Sequence, residues 1–163
     1  NHLRLGSSAT VARAGLDIQH DDGFIATGTF DQGNTDNLPT GGGTRMMWIP
    51  RKAAFRAGFV DGNQWNDANI GLYSTAFGEA NTASGQTATA LGRKTTASGI
   101  ESLAAGSYST ASGSRSMALG SNAVASGRSA LALGNLVTAS GIYSTALGAN
   151  ASTNDKAGSF VIG

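Results

Sequence analysis

The segment at residues 118–141, ALGSNAVASGRSALALGNLVTASG, contains glycines that are spaced seven residues apart. The same spacing holds without a slip from Gly71 to Gly148. In each seven-residue unit, written G1-x2-x3-x4-x5-A6-x7, position 6 is alanine until Thr153 ends the pattern. A period this strict predicts a repeat fold in which every unit has the same conformation.

The composition excludes the two helical folds that have short repeats. A coiled coil needs large apolar residues at two positions of each heptad, and collagen needs glycine at every third position. Position 7 alternates between apolar residues such as Leu119 and Leu133 and serines such as Ser126. The complete unit is therefore 14 residues, with two short strands and two turns. The predicted fold class is all-β, a parallel β-roll or solenoid of about six turns.

Alternation along each strand places positions 4 and 6 on one face and positions 5 and 7 on the other. Positions 4 and 6 carry small residues, which favour a narrow interior. The opposite arrangement, with leucine inside and alanine outside, remains open. A row of apolar side chains on one outer face predicts an interface between chains, although the row alone leaves their number open. The residues predicted to lie in this interface are Phe77, Leu91, Leu103, Met117, Leu119, Leu131, Leu133 and Leu147.

The units ALGRKTTASG (90–99) and ALGNLVTASG (132–141) resemble the head repeats of trimeric autotransporter adhesins, the YadA-like family. The resemblance covers residues 70–154 and rests on ALG and ASG pairs at strict spacing. It implies a left-handed parallel β-roll, a homotrimer about one axis, and a head held away from a bacterial cell by a stalk. The implied function is extracellular adhesion, at the bacterial surface or on a secreted fibre, to a surface, a matrix protein or a glycan.

Residues 1–69 do not follow the repeat, and we predict that they form a β-rich cap or tip. Strands are expected at 3–15 and 23–30, and a hairpin at 45–49 and 53–60. Residues 155–163 are expected to leave the roll toward a stalk or a further module.

Two clusters in the cap are candidate ligand sites. Arginines near an aromatic residue suit an anionic glycan or phosphate, but a solvated basic face with a tryptophan in the core explains the same residues. A tryptophan among amides and carboxylates suits a glycan, and an ordinary polar turn is the alternative. The candidate ligand-binding residues are Arg45, Trp48, Arg51, Arg56, Trp65 and Asp67.

The sequence offers little for catalysis, so we expect no enzyme, no cofactor and no metal site. It has no cysteine and only His2 and His20 as histidines. The acidic residues between Asp31 and Asp36 match neither an EF-hand nor the nonapeptide calcium roll, although their spacing leaves a bound calcium ion open. The net charge of +1 and the lack of a long apolar run argue against nucleic acid and against direct membrane insertion.

Three other functions remain as alternatives: a phage-tail or injection-system fibre segment, a structural spacer with no ligand, and an ice-binding solenoid. The last rests on a regular hydroxyl ladder on the second sheet. Its members are Thr82, Thr96, Thr110 and Thr138, and Val124 interrupts it.

Overall fold

The 14-residue repeat forms a parallel β-solenoid of about six turns, as the sequence predicts. The computed structural model describes residues 26–32 and 38–163. Each of the first five repeats contributes a five-residue strand to one sheet and a two-residue strand to another, and the sixth contributes a five-residue strand alone. The strands are β1 (Gly43–Ile49), β2 (Ala54–Val60), β3 (Thr75–Glu79), β4 (Thr82–Ala83), β5 (Thr89–Arg93), β6 (Thr96–Ala97), β7 (Leu103–Ser107), β8 (Thr110–Ala111), β9 (Met117–Ser121), β10 (Val124–Ala125), β11 (Leu131–Asn135), β12 (Thr138–Ala139), β13 (Thr145–Ala149) and β14 (Phe160–Ile162).

The strand register reproduces the sequence period. Each residue of β9 pairs with the residue 14 positions later in β11, so that Leu119 lies beside Leu133 and Gly120 beside Gly134. The long strands form a sheet in the order β1-β2-β3-β5-β7-β9-β11-β13-β14, and the short strands form a sheet in the order β12-β10-β8-β6-β4. Identical positions therefore stack in straight columns along the solenoid.

The interior contains positions 4 and 6, which confirms the predicted face. The position-6 alanines from Ala76 to Ala146 have no exposed surface, and the position-4 residues are also buried. Several position-4 serines donate locally; the Ser102 hydroxyl, for example, donates to the carbonyl oxygen of Gly99 at 2.7 Å. The arrangement with leucine inside is excluded, since Leu133 is 44% exposed.

The glycines allow consecutive turns to approach at backbone distance. A Cβ atom on Gly120 would lie well under 3.0 Å from the carbonyl oxygen of Gly134, and one on Gly113 would meet Gly127 in the same way. Gly120 also has a φ of +133°, in a region that favours glycine, whereas Gly113 does not. The glycines of the ALG motifs, such as Gly120, are therefore required because a side chain would clash with the next turn and because their φ is positive. The glycines of the ASG motifs, such as Gly113, are required because a side chain would clash.

Each turn also contains a left-handed residue that is not glycine, which the sequence analysis did not predict. Position 3 has a φ between 52° and 59° in every seven-residue unit, including Tyr73, Thr87, Lys94 and Leu136. This conformation costs an L-residue about 1–2 kcal/mol, and asparagine, as at Asn122, tolerates it best. The solenoid therefore repeats a strained residue at position 3 of every unit. We call the segment around positions 2 and 3, where one strand ends and the next has not begun, a corner.

The predicted hairpin is present and extends the long sheet. β1 and β2 pair antiparallel, around a 3-10 turn at Pro50–Lys52, and β2 then pairs parallel with β3. The 61–69 connection includes a second 3-10 turn, Asp67–Asn69. Of the strand predicted at 23–30, residues 26–30 form no strand. The remainder of that prediction and the strand at 3–15 lie outside the described residues.

Residues 155–163 were expected to leave the roll, but part of this segment adds a further strand to the long sheet. β14 pairs parallel with β13, with Thr145 beside Phe160, so that this turn is one residue longer than the others. The extra residue falls where Asn154 and Asp155 are both left-handed. The last strand of the short sheet is β12, which is followed by a single bridge between Thr138 and Ser152. Beside this bridge, the hydroxyl oxygen of Thr153 accepts the backbone N–H of Ser140 at 3.0 Å.

Substitution of the ALG glycine should damage folding. We expect Gly120→Val to lower the free energy of unfolding by about 3 kcal/mol or more, or to prevent folding, because the side chain meets the Gly134 carbonyl and the φ is unfavourable. Gly113→Ala should also destabilise, through backbone contact with Gly127 and Ser126 and without an unfavourable φ, whereas Gly62→Ala has room. Urea unfolding of the three variants checks this, and wild-type stability of Gly120→Val would contradict it.

Relief of the corner strain should stabilise the protein. Thr87 is exposed and left-handed, with a φ of 58°. We expect Thr87→Asn to raise the free energy of unfolding by about 0.5–1 kcal/mol, since asparagine adopts this conformation more easily. The same exchange at Thr44, an exposed strand position, should give no gain. Thermal unfolding of both variants measures the difference, and equal shifts would argue against the strain.

Candidate functional site

The outer surface of the long sheet carries two columns of mainly apolar side chains. We call this surface, formed by positions 5 and 7 of the long strands, the apolar face. The strand register stacks Leu119, Leu133 and Leu147 in one column, and Leu103, Met117 and Leu131 in the other. Phe77 and Met117 are each 40% exposed. All eight residues predicted for an interface lie on this face: Phe77, Leu91, Leu103, Met117, Leu119, Leu131, Leu133 and Leu147.

Further exposed apolar side chains lie on the hairpin, next to the apolar face. Phe55 is in register with Thr75 of the first turn, and its ring packs against that of Phe77 with centroids 5.3 Å apart. On β1, Trp48 pairs with Phe55 and is 44% exposed, and Met46 is 73% exposed. The row of exposed apolar side chains is therefore longer than the repeat.

The outer surface of the short sheet is different in character. Thr82, Thr96, Thr110 and Thr138 form a half-buried column with Val124 at its fourth place. The two outer faces of the solenoid thus differ as the sequence indicates, one apolar and the other covered by hydroxyl groups.

Arg56 lies in the interior, where it closes the first end of the solenoid. It is fully buried and pairs in register with Ala76 of the first turn. Its guanidinium donates to the carbonyl oxygens of Ser74 and Ala83, at 2.8 and 3.0 Å, and to the Ser74 hydroxyl at 2.7 Å. Burial lowers the pKa of Arg56 to about 10, so the side chain remains charged at neutral pH. These contacts place Arg56 in the cap, away from any surface ligand.

Trp65 closes the same end on the side of the short sheet. It is 1% exposed, and its indole N–H donates to the carbonyl oxygen of Asn81 at 3.0 Å. The loop that carries it is held by Asp67, which pairs with Arg51 and Lys52. Burial acts to raise the pKa of Asp67, but the hydrogen bonds from Arg51 and Lys52 outweigh it and hold the pKa below its usual value.

The two remaining candidates, Arg45 and Trp48, lie apart from this network. Arg45, in β1, donates to the carbonyl oxygens of Pro39 and Gly41 in the segment that precedes the strand. Trp48 borders a pocket of about 370 Å³ beside the Pro50–Lys52 turn of the hairpin. The residues that line the pocket are Gly28, Thr29, Gln32, Leu38, Trp48, Ile49, Pro50 and Arg51. Of the six predicted ligand-binding residues, the structure brings Trp48 and Arg51 together in one open site.

Two arginine–tyrosine pairs on the corners were missed by sequence reasoning. The Arg93 guanidinium lies over the Tyr108 ring, 4.9 Å from its centroid, and Arg128 lies 5.2 Å from the centroid of Tyr143. Both pairs are separated by 15 residues, which is one turn plus one position. The signal for such pairs is a spacing of 15 between a position-2 cation and a position-3 aromatic residue.

Metal ligation has no visible basis in the part of the chain that the structure describes. In residues 26–32 and 38–163, no three histidine, cysteine or acidic side chains lie close enough to hold an ion. His2, His20 and most of the acidic stretch near Asp36 lie outside these residues. Within the same ranges, no helix is long and apolar enough to cross a membrane.

The fold and its outer faces define a class: a repeat protein whose identical turns carry an apolar surface and whose first turn is closed by buried polar side chains. The family model described as the YadA head domain repeat (2 copies) matches this chain in six overlapping segments between residues 70 and 163. The chain therefore belongs to the YadA head-repeat family and forms an adhesin-like head. A search of the curated proteins finds no match.

The cap should depend on the buried arginine. We expect Arg56→Met to lower the free energy of unfolding by about 2–4 kcal/mol, because the Ser74 and Ala83 carbonyls would lose charged donors in a dry interior. Arg45→Met removes an arginine of the same hairpin from a more exposed site and should change stability by less than about 1 kcal/mol. Urea unfolding compares them, and equal losses would show that burial of Arg56 is not what matters.

Proposed function

We propose that this chain is the non-catalytic, adhesive head of an extracellular bacterial protein and that it works as a homotrimer. The observation that carries the proposal is the apolar face, which runs along the solenoid from β3 to β13. Membership of the YadA head-repeat family supports the same function.

The narrow interior explains why the apolar face needs a partner. Alanine and serine fill most of the interior, and the largest apolar side chains of each turn remain on the outside, where Leu133 is 44% and Met117 40% exposed. A contiguous apolar surface of this kind on a soluble domain marks an interaction site. Because each copy presents the same columns, packing about one axis would cover them in a closed symmetric assembly.

Charge favours this association. The column positions of the long sheet, from β3 to β13, contain no Asp, Glu, Lys or Arg at positions 5 and 7. The charged residues of the repeats, such as Arg93, Lys94 and Arg128, lie at the corners. Copies that meet through the apolar face would therefore bury few ionised groups, which keeps the desolvation cost low.

Adhesion would then use the surfaces left outside the trimer: the corners, the hydroxyl-covered face of the short sheet, and the cap. The ligand class we propose is a surface, a matrix protein or a glycan. A fibre segment or a passive spacer would associate in the same way, so binding to such ligands is what separates an adhesive head from them.

A charge on the apolar face should break the assembly. We expect wild-type protein to have a solution mass near three times the 16.3 kDa of one chain, and Leu133→Asp or Leu119→Asp to give single chains. The physical reason is that an unpaired carboxylate would be buried in the interface. Light scattering coupled to size exclusion measures the mass.

Ser126→Asp is the matched control, since it places the same charge at position 7 of the short sheet, where the side chain is exposed. This variant should remain trimeric. A wild-type mass for both leucine variants, or a monomeric wild-type protein, would contradict the proposed assembly.

A further inference from the structure

The pocket beside Trp48 has the features of a small-molecule site. We propose that it binds a neutral hexopyranose, the ring of one sugar unit of a glycan. This inference rests on the proposed function as an adhesive head and adds to it the class of ligand and the place where it binds. It assigns to Trp48 a role that the family membership does not supply, because the family match begins only at residue 70.

The pocket combines an apolar wall with a few polar groups. Its volume of about 370 Å³ lies at the lower end of the range for ligand sites, which suits one or two sugar rings better than an extended peptide. Leu38 and Pro50 supply aliphatic surface, and Trp48, a residue that is 44% exposed, supplies the flat surface of its indole. The apolar C–H face of a pyranose packs against such a surface.

Hydroxyl groups of the sugar would meet polar side chains at the rim. Gln32 and Thr29 both line the pocket and are exposed. An amide both donates and accepts hydrogen bonds, as does a hydroxyl, so the pair can match the donors and acceptors around a sugar ring. The segment that carries them is fixed to the hairpin turn, because the Asp31 N–H donates to the Arg51 carbonyl oxygen at 3.0 Å.

The local charges favour a neutral sugar over an anionic one. Arg51 is the charged residue of the pocket lining, and its guanidinium is paired with the carboxylate of Asp67. Lys52 contacts the same carboxylate at 3.0 Å and donates to two backbone carbonyls of the cap. The cationic side chains near the pocket are thus occupied by internal partners, which leaves no unpaired cation among the described lining residues for a sulfate or carboxylate.

The experiment is a titration of the whole chain with methyl glycosides: glucoside, galactoside, mannoside and N-acetylglucosaminide, with methyl glucuronide as the charged comparison. Trp48 is the exposed tryptophan and Trp65 the buried one, so ligand-dependent change in fluorescence reports on Trp48. We expect at least one neutral glycoside to bind with a Kd near 1 mM, and the glucuronide to bind no more tightly. Saturation-transfer NMR on the same samples gives an independent reading.

Three variants define the site. Trp48→Ala should weaken binding at least tenfold and Gln32→Ala severalfold, whereas Thr44→Ala, which changes an exposed polar residue of the same strand outside the pocket, should leave binding unchanged. Unaltered binding by Trp48→Ala, tighter binding of the glucuronide, or no response to any glycoside would overturn the inference. So would a Trp48 that acrylamide fails to quench in the assembled protein, since a second copy would then cover the pocket.

The solution mass of each sample separates this inference from the proposed function. A trimer that binds no glycoside contradicts the sugar site alone. A monomeric wild-type protein contradicts the proposed assembly, whatever the glycoside result.

Discussion

The close approach of consecutive turns at their glycines is the constraint on which the rest of the structure depends. The carbonyl of each repeat glycine occupies the space that a side chain on the preceding one would need, as at Gly120 and Gly134. The two sheets lie close together because the interior is filled mainly by alanine and serine, with residues as large as Val137 at a few places. An alanine side chain buries little apolar area, so each turn gains little from its own core. Larger apolar residues such as Leu133 have no space inside, and their burial requires a surface outside the chain.

A solenoid of identical turns also needs different residues at its ends, where the next turn is missing. At the first end, Arg56 donates to carbonyls of the first turn, and the indole of Trp65 donates to Asn81. At the other end of the short sheet, the hydroxyl of Thr153 accepts the N–H of Ser140 where a further strand would have offered a carbonyl. The departures from the repeat are therefore places where side chains replace missing backbone partners.

The period, the interior face and the apolar face could be predicted from the sequence because each follows from a strict pattern: glycine spacing, side-chain alternation, and the contrast of leucine with serine. The left-handed residues at position 3 could not be predicted, because residues as different as Tyr73, Thr87 and Lys94 adopt the same φ. Glycine, the usual sign of a positive φ, is at position 1 of each unit instead. Arg56 was expected at a surface because charged residues are seldom buried, and the acceptors that hold it belong to turns distant in sequence. The extra residue before β14 could not be predicted either, because only two polar residues, Asn154 and Asp155, mark its place in the sequence.

The division between constrained and unconstrained positions also indicates where binding specificity can evolve. Positions 1, 4 and 6 are limited by backbone contact and by the narrow interior, and positions 5 and 7 of the long strands by the proposed association. The corners are limited only in backbone conformation, and there the side chains of neighbouring turns meet in pairs such as Arg93 with Tyr108. A solenoid can therefore change its corners and the exposed positions of its cap without altering its fold, and the cap differs from the corners in forming a pocket. The proposed sugar site lies where the chain combines freedom of sequence with a concave surface.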